Sequence, residues 1–287
     1  MVTPAAPSLP TPTPEPPRRR AGLAGRLVIA GVVVGVAGAG IWALTQVTEP
    51  DRTPRRVEPP IVAVPVEPGS AVPGDVLPDR QPPPDRKPPP AAQGGQAPDP
   101  IGEWANRVSE TIEVPARALR AYAVADLTLR AEKPRCRITW ATIAAIGRIE
   151  SNHNRYGGAT LQEDGRPSKP IIGVPLDGSP GFKAIPDTDK GQLDGDTQWD
   201  RAVGPMQFIP GTWKRFAADG DGDGKADPQD IDDAAVAAGR YLCSANRDMG
   251  TGKDWWAATF TYNNSVEYGQ KVFGLADRYA RGSLGQR

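Results

Sequence analysis

The chain has 287 residues and a balance of 34 basic against 34 acidic side chains. Zero net charge excludes a protein that grips nucleic acid through a broad basic surface. Of its 33 prolines, 23 fall within residues 1–100 and 10 beyond, so the first third cannot be an ordinary packed domain. Proline at that density removes backbone donors and blocks helix and sheet alike.

Residues 1–26 read as a disordered cytoplasmic tail that closes on Arg18, Arg19, Arg20 and Arg26. The 21 residues 27–47 then carry no charge. As a helix they would be about 30 Å long, enough to cross a bilayer, with Trp42 placed as an interfacial aromatic. Four arginines before the span put its start in the cytoplasm and the rest of the chain outside. The expectation is a single-pass membrane protein with an extracytoplasmic C-terminal domain. A cleavable signal peptide ending near Ala37-Gly38-Ala39 is the alternative, and it would release a secreted protein. No cysteine lies near the span, which excludes a lipid-modified N-terminus. Residues 48–100 are expected to form a disordered, extended, proline-rich linker.

From residue 101 to 287 the composition becomes that of a helical globular domain. Pro115 opens a helix running to about Ala131, with Ala118, Tyr122, Ala125 and Leu129 on one face. Thr139 is the expected N-cap of a second helix that carries Ile143, Ile146 and Glu150 on one face. Residues 155–202 read as a long irregular insertion, a lid or rim. An Ala-rich helix follows Asp232, then helical segments at about 253–263 and 266–281. Strand signals are weak, so the domain is predicted to be mostly α. Cys136 and Cys243 are expected to form a disulfide in an exported domain, worth roughly 4 kcal/mol for a loop of this length.

Residues 219–230, DGDGDGKADPQD, follow the spacing of a 12-residue calcium loop. Asp219, Asp221 and Asp223 occupy alternate positions, Gly224 the sharp turn, Lys225 offers a carbonyl, and Asp227 and Asp230 follow. Asp233, on the next helix, serves instead of or beside Asp230. This predicts one structural Ca²⁺; no organic cofactor is expected.

Glu150 ends a strongly apolar helix, where partial desolvation raises a carboxyl toward the range of a general acid. Two further segments, VGPMQFIPGTW at 203–213 and YNNSVEY at 262–268, set polar residues among apolar ones in the manner of a groove lining. With Glu150-Ser151, Gly157, the acidic loop, Asp233-Ala234 and Tyr262-Asn263, these segments resemble the membrane-bound lytic murein transglycosylase B family over roughly residues 112–281.

The resemblance implies a lysozyme-like (goose-type/transglycosylase) domain acting on peptidoglycan glycan strands, with Glu150 as the single catalytic acid/base. Cleavage between N-acetylmuramic acid and N-acetylglucosamine would form a 1,6-anhydro ring. The resemblance also implies that Ser151, Gly204, Met206, Gln207, Phe208, Tyr262 and Asn263 line the substrate groove. A lysozyme-like hydrolase using Asp194, Asp196 or Asp200 as a second carboxylate is one alternative, and a non-catalytic peptidoglycan-binding protein is another. His153 reads as a local hydrogen-bonding residue. Trp140, Trp255 and Trp256 read as core, and Trp199 and Trp213 as candidates for stacking on sugar.

Overall fold

The structure, a computed structural model, describes residues 60–74 and 99–285. The tail 1–26, the span 27–47 and most of the linker lie outside the described residues. Among the described residues no helix is long and apolar enough to cross a membrane.

Helix α1, Pro100–Ile112, starts with proline at its first position, and the Asp99 carboxylate accepts from the Gly102 amide at 3.0 Å. The sequence reading gave no helix here, although Ala105, Val108 and Ile112 recur at helical spacing and are buried. Helix α2, Ala116–Glu132, follows Pro115 as expected and buries Ala118, Tyr122, Ala125 and Leu129. Helix α3, Trp140–Ser151, is entered through an extended Thr139, whose hydroxyl lies 3.4 Å from that of Thr142. From Trp140 to Gly147 every residue of α3 is buried, so the helix that carries Glu150 runs through the centre of the domain. Helix α4, Pro210–Phe216, is short; α5, Ile231–Leu242, is the Ala-rich helix; α6, Gly252–Tyr262, and α7, Val266–Ser283, complete the bundle.

Helix α2 packs on α1, α3 and α5, and α3 packs on α7. Small residues permit the close approaches. A Cβ on Gly239 of α5 would overlap Leu129 of α2, and one on Gly147 of α3 would overlap the Tyr122 hydroxyl. The core is aromatic as well as aliphatic: Trp140, Trp255 and Trp256 are each at most 1% exposed, as the sequence reading placed them. The disulfide joins Cys136, before α3, to Cys243, at the end of α5, with Cα atoms 5.5 Å apart.

The 155–202 insertion has an ordered base that the sequence did not reveal. Strand β1, Ile172–Pro175, pairs antiparallel with β2, Arg201–Val203, with Ile172 opposite Val203. Strands of four and three residues are too short to show a period. Further bridges link Asp177 to Ala184 and Pro186 to Trp199.

Residues 60–74 correct the expectation of an unstructured linker from 48 to 100. Ile61, Val66 and Val72 pack against the core. Asp277 of α7 accepts from the Gly74 amide at 3.3 Å, and Gln270 of α7 donates to the Val66 carbonyl at 3.3 Å. The turn between, Glu67–Ser70, closes with the Ser70 amide on the Glu67 carbonyl at 3.1 Å. Composition had averaged these apolar residues with their prolines; locally, apolar burial outweighs the missing amide donors.

Candidate active site and acidic loop

Glu150 stands one residue from the end of α3, where its carboxyl is enclosed by protein but keeps a path to solvent. Oε1 accepts a 2.5 Å hydrogen bond from the Tyr268 hydroxyl. Burial raises the carboxyl to about 7, and the Tyr268 bond opposes that rise. Tyr268 was not singled out from sequence, although it lies within the quoted segment 262–268. The signal was Ser265: its side chain accepts from the Tyr268 amide at 3.3 Å as the N-cap of α7, so Tyr268 sits on the first turn, aimed back at α3. Burial, and then the nearby Glu150, push the Tyr262 and Tyr268 phenols well above their usual range. Both remain proton donors at neutral pH.

The chain turns sharply after α3. Asn152, His153 and Asn154 all have positive φ, at 54°, 58° and 66°. Such a run is sterically unfavourable for non-glycine residues and persists only where its surroundings hold it. Ser151 is one such holder: its hydroxyl donates to the Pro205 carbonyl at 2.7 Å and accepts from the Asn154 amide at 2.8 Å. With 0% exposure, Ser151 is therefore not a substrate contact. It fastens the end of α3 to the 203–208 turn. His153 is fully buried, with Nδ1 3.1 Å from the Tyr122 hydroxyl, in the local role read for it.

The 203–208 turn is closed by reciprocal bonds between Val203 and Phe208, each 2.9 Å. Gly204 has φ 74°, and a Cβ there would overlap the Pro228 carbonyl, so glycine is required twice over. Met206 and Phe208 are 0% and 2% exposed and anchor the turn from below instead of touching substrate. Gln207 is half-buried at φ 48°, its amide donating to the Gly204 carbonyl at 3.0 Å. Tyr262 donates to the Met206 carbonyl at 2.6 Å, and Asn263 is exposed at the end of α6. The structure thus brings Tyr268 and Tyr262 to Glu150, and the Tyr262 hydroxyl ties the 203–208 turn, with Gln207, to them, with Ser151, Gly204, Met206 and Phe208 as support.

One tryptophan reading changes. Trp213 is 5% exposed with its ring edge-on to Phe208 at 5.4 Å, so it is no open platform for a sugar, while Trp199 is half-buried in the insertion. Nor are the three candidate second carboxylates free. Asp194 accepts from the Arg201 amide at 2.7 Å, Asp196 pairs with Arg201 at 2.9 Å, and buried Asp200 accepts from the Thr188 amide and hydroxyl, both at 2.8 Å. All three hold the insertion in shape.

In the 219–230 loop, carboxylate oxygens of Asp219, Asp221 and Asp223 lie within 4.8 Å of one another and are exposed. Gly222 and Gly224, at φ 82° and 86°, supply the tight turns. Asp233 of α5 accepts from the Gly220 amide at 2.6 Å and the Asp227 amide at 2.8 Å, so one carboxylate draws both ends of the loop together. Asp227 and Asp230 do not join the acidic trio. Asp227 is paired with Arg166 at 2.6 Å, and Asp230 caps α5 through the Asp232 amide at 2.9 Å. The donor set, three convergent carboxylates and the loop's carbonyls, is the hard-oxygen chemistry that suits Ca²⁺.

No curated protein matches the chain. Among solved structures, the chain resembles the Escherichia coli lytic transglycosylase Slt35 in complex with bulgecin A, at 14% identity and TM-score 0.36, over 66% of this chain and 81% of that one. The same protein in complex with calcium gives 14% identity and TM-score 0.35, over 64% and 80%. SltB3 from Pseudomonas aeruginosa, in complex with NAG-anhNAM-pentapeptide, gives 18% identity and TM-score 0.34, over 66% and 73%. Residues 184–271, which hold the 203–208 turn, the acidic loop, Tyr262 and Tyr268, match the family model of the transglycosylase SLT domain.

Proposed function

We propose that this protein is a peptidoglycan lytic transglycosylase, of the type of the membrane-bound B family, in a lysozyme-like domain. The observation that carries the proposal is one enclosed carboxyl, Glu150, hydrogen-bonded by Tyr268 of the segment 184–271 that matches the transglycosylase SLT domain model, and raised by burial to about 7. Near neutral pH this carboxyl is protonated in a substantial fraction of molecules and can donate to the oxygen leaving N-acetylmuramic acid. The same group, now a carboxylate, takes the proton of the sugar's own 6-hydroxyl as that oxygen attacks C1. The hydroxyl is already tethered, so no bound water has to be positioned, and one carboxylate does the work of the two that most glycosidases use. Tyr268 holds the carboxyl in place and steadies its charged state; Gln207, Tyr262 and Asn263 face the sugar.

Ca²⁺ held by Asp219, Asp221, Asp223 and the Lys225 carbonyl would fix the loop between α4 and α5. The span 27–47 would anchor the protein in the membrane with this domain outside, and the tether would end at residue 59, where the domain-bound segment begins.

Mass spectrometry of digested glycan strands tests the reaction. Anhydro products are lighter by one water than the reducing ends a hydrolase leaves, and uncut strands would mark a binding protein. Glu150→Gln is expected to lower cleavage by at least about a thousandfold while leaving the fold intact. Retained activity would remove Glu150 from the mechanism.

A further inference from the structure

Helix α7, which carries Tyr268, is covered on two sides. Val272, Leu275, Ala276 and Tyr279 are buried and, at about 100° per residue, fall within about 80° of Tyr268 around the helix. That face turns Tyr268 toward α3 and Glu150. Gln270, Gly274 and Asp277 stand roughly 180–240° away from Tyr268, and residues 60–74 lie across them. We propose that residues 60–74 are a positioning clasp for the catalytic acid, holding α7 against α3 so that the Tyr268 hydroxyl stays on Glu150. This rests on the transglycosylase reading above for the role of the acid.

The clasp touches each helix that brings a side chain to the acid. Val64 lies against Gly274 of α7, where a Cβ would stand 2.9 Å from one of its methyl groups. Gln270 then donates to the Val66 carbonyl at 3.3 Å. The turn Glu67–Ser70 brings the chain to Gly252 at the start of α6, where a Cβ would overlap the Gly69 carbonyl. Val72 and Pro73 line a small cavity with Thr139 and Thr142 at the start of α3 and with Trp255 of α6. Asp277 of α7 closes the return by accepting from the Gly74 amide at 3.3 Å. The three helices so joined, α3, α6 and α7, carry Glu150, Tyr262 and Tyr268.

The bond at stake has little tolerance. Tyr268 and Glu150 are 2.5 Å apart, so an outward movement of α7 by about 1 Å would stretch the contact to the limit of hydrogen bonding. Gln270 is two residues from Tyr268, about 3 Å along the helix axis, so the clasp bears on the turn that aims the phenol. Its grip is mainly apolar, through Ile61, Val66 and Val72 on the core, and it acts on the acid only through α7.

Two variants of the full chain release the clasp from opposite sides. Gly274→Leu fills the space beside Val64 and favours helix, so α7 itself is not weakened. Val66→Asp/Val72→Asp sets carboxylates where the clasp meets the core, outside every helix. The titratable groups facing the Glu150 carboxyl are the phenols of Tyr268 on α7 and Tyr262 on α6, and both keep their protons through neutral pH. The carboxyl is titrated directly by ¹³C NMR of the glutamate-labelled full chain, with Glu150→Gln identifying its signal. In both variants the midpoint should rise by about one pH unit, as for loss of one hydrogen bond to a charged group. With Tyr268→Phe already in place, neither variant should move it further. On glycan strands the alkaline limit of kcat/KM should rise with the midpoint. A midpoint unmoved in either variant overturns the proposal, because a clasp that is only structural would lower Tm and nothing else. A shift that adds to that of Tyr268→Phe overturns it too, and so does a fall, which would mean that the clasp keeps water from the carboxyl. Should the double aspartate variant fail to fold, Gly274→Leu alone decides. If the wild type cuts no strand, the transglycosylase reading fails while the carboxyl titration still judges the clasp.

Discussion

At the end of α3, Glu150 is enclosed by protein and takes a hydrogen bond from a tyrosine. In the 219–230 loop, Asp219, Asp221 and Asp223 crowd together in water. Enclosure makes the first an acid, because removing a carboxyl from water penalises its charged form. Exposure keeps water around the second group, whose carboxylates turn inward onto the loop's own amides: Gly222 and Gly224 both donate to Asp219. The same functional group is thus suited to donating a proton or to holding a cation according to what surrounds it. The two regions meet at Gly204, whose missing side chain lets the 203–208 turn lie against Pro228 of the loop.

That junction is where the comparison breaks most easily. Gly204→Ala would place a Cβ on the Pro228 carbonyl and force alanine to hold φ 74°. The expected cost is at least about 3 kcal/mol in denaturant unfolding, with loss of cleavage in the surviving fold. A variant with wild-type stability would show that turn and loop are independent.

The next effect is on pH dependence, and its sign differs from that of a paired carboxylate. Glu150 is raised from 4.5 to about 7 in the folded protein, so the fold binds its proton more tightly than the unfolded chain does. The stability this gives is complete below pH 4.5 and is lost as pH rises through about 7. The loss is at most about 3 kcal/mol, less to the extent that the carboxyl keeps solvent contact. Glu150→Gln should lack this fall, so the inactive variant should be more stable than the wild type at pH 8. Parallel stability curves from pH 4 to 8 would refute an enclosed acid.

The acidic loop should respond to calcium and the acid should not. At a hundredfold excess over its dissociation constant, Ca²⁺ would stabilise the fold by about 2.7 kcal/mol, a rise of roughly 5–10 °C in Tm that chelator reverses. Asp221→Asn should abolish most of that rise without moving the pH limit of cleavage. A Tm indifferent to calcium would remove the metal from the account.

These two regions also differ in how far they could be read in advance. The loop announces itself because its carboxylates are neighbours in sequence: alternating Asp and Gly place three of them together within one short segment. Even so, Asp227 and Asp230 were taken by Arg166 and by the cap of α5, choices made by tertiary neighbours. The enclosure of Glu150 was legible through the apolar run before it, but Ser151, Met206 and Phe208 were placed in the groove by family resemblance, which cannot tell a lining from the layer beneath it. The segment 60–74 and the β1–β2 pair were missed for a related reason. Their order comes from long-range packing and bridges that leave no period in so few residues.

The smallest expected effect is the most specific to the comparison. Tyr268 donates to Glu150, and a donor to a carboxylate favours the charged form, so this bond holds the carboxyl below the value that burial alone would give. The acid must carry its proton to act, so cleavage is present below its titration point and lost above it. Tyr268→Phe removes the donor and keeps the ring. The alkaline limit of kcat/KM should then move to higher pH, while the rate on the acid plateau falls by no more than about tenfold, the worth of one hydrogen bond to a charged group. A purely structural tyrosine would lower the rate without moving the limit. A limit moving to lower pH would mean that the hydroxyl stabilises the protonated carboxyl, which would reverse the role given to Tyr268.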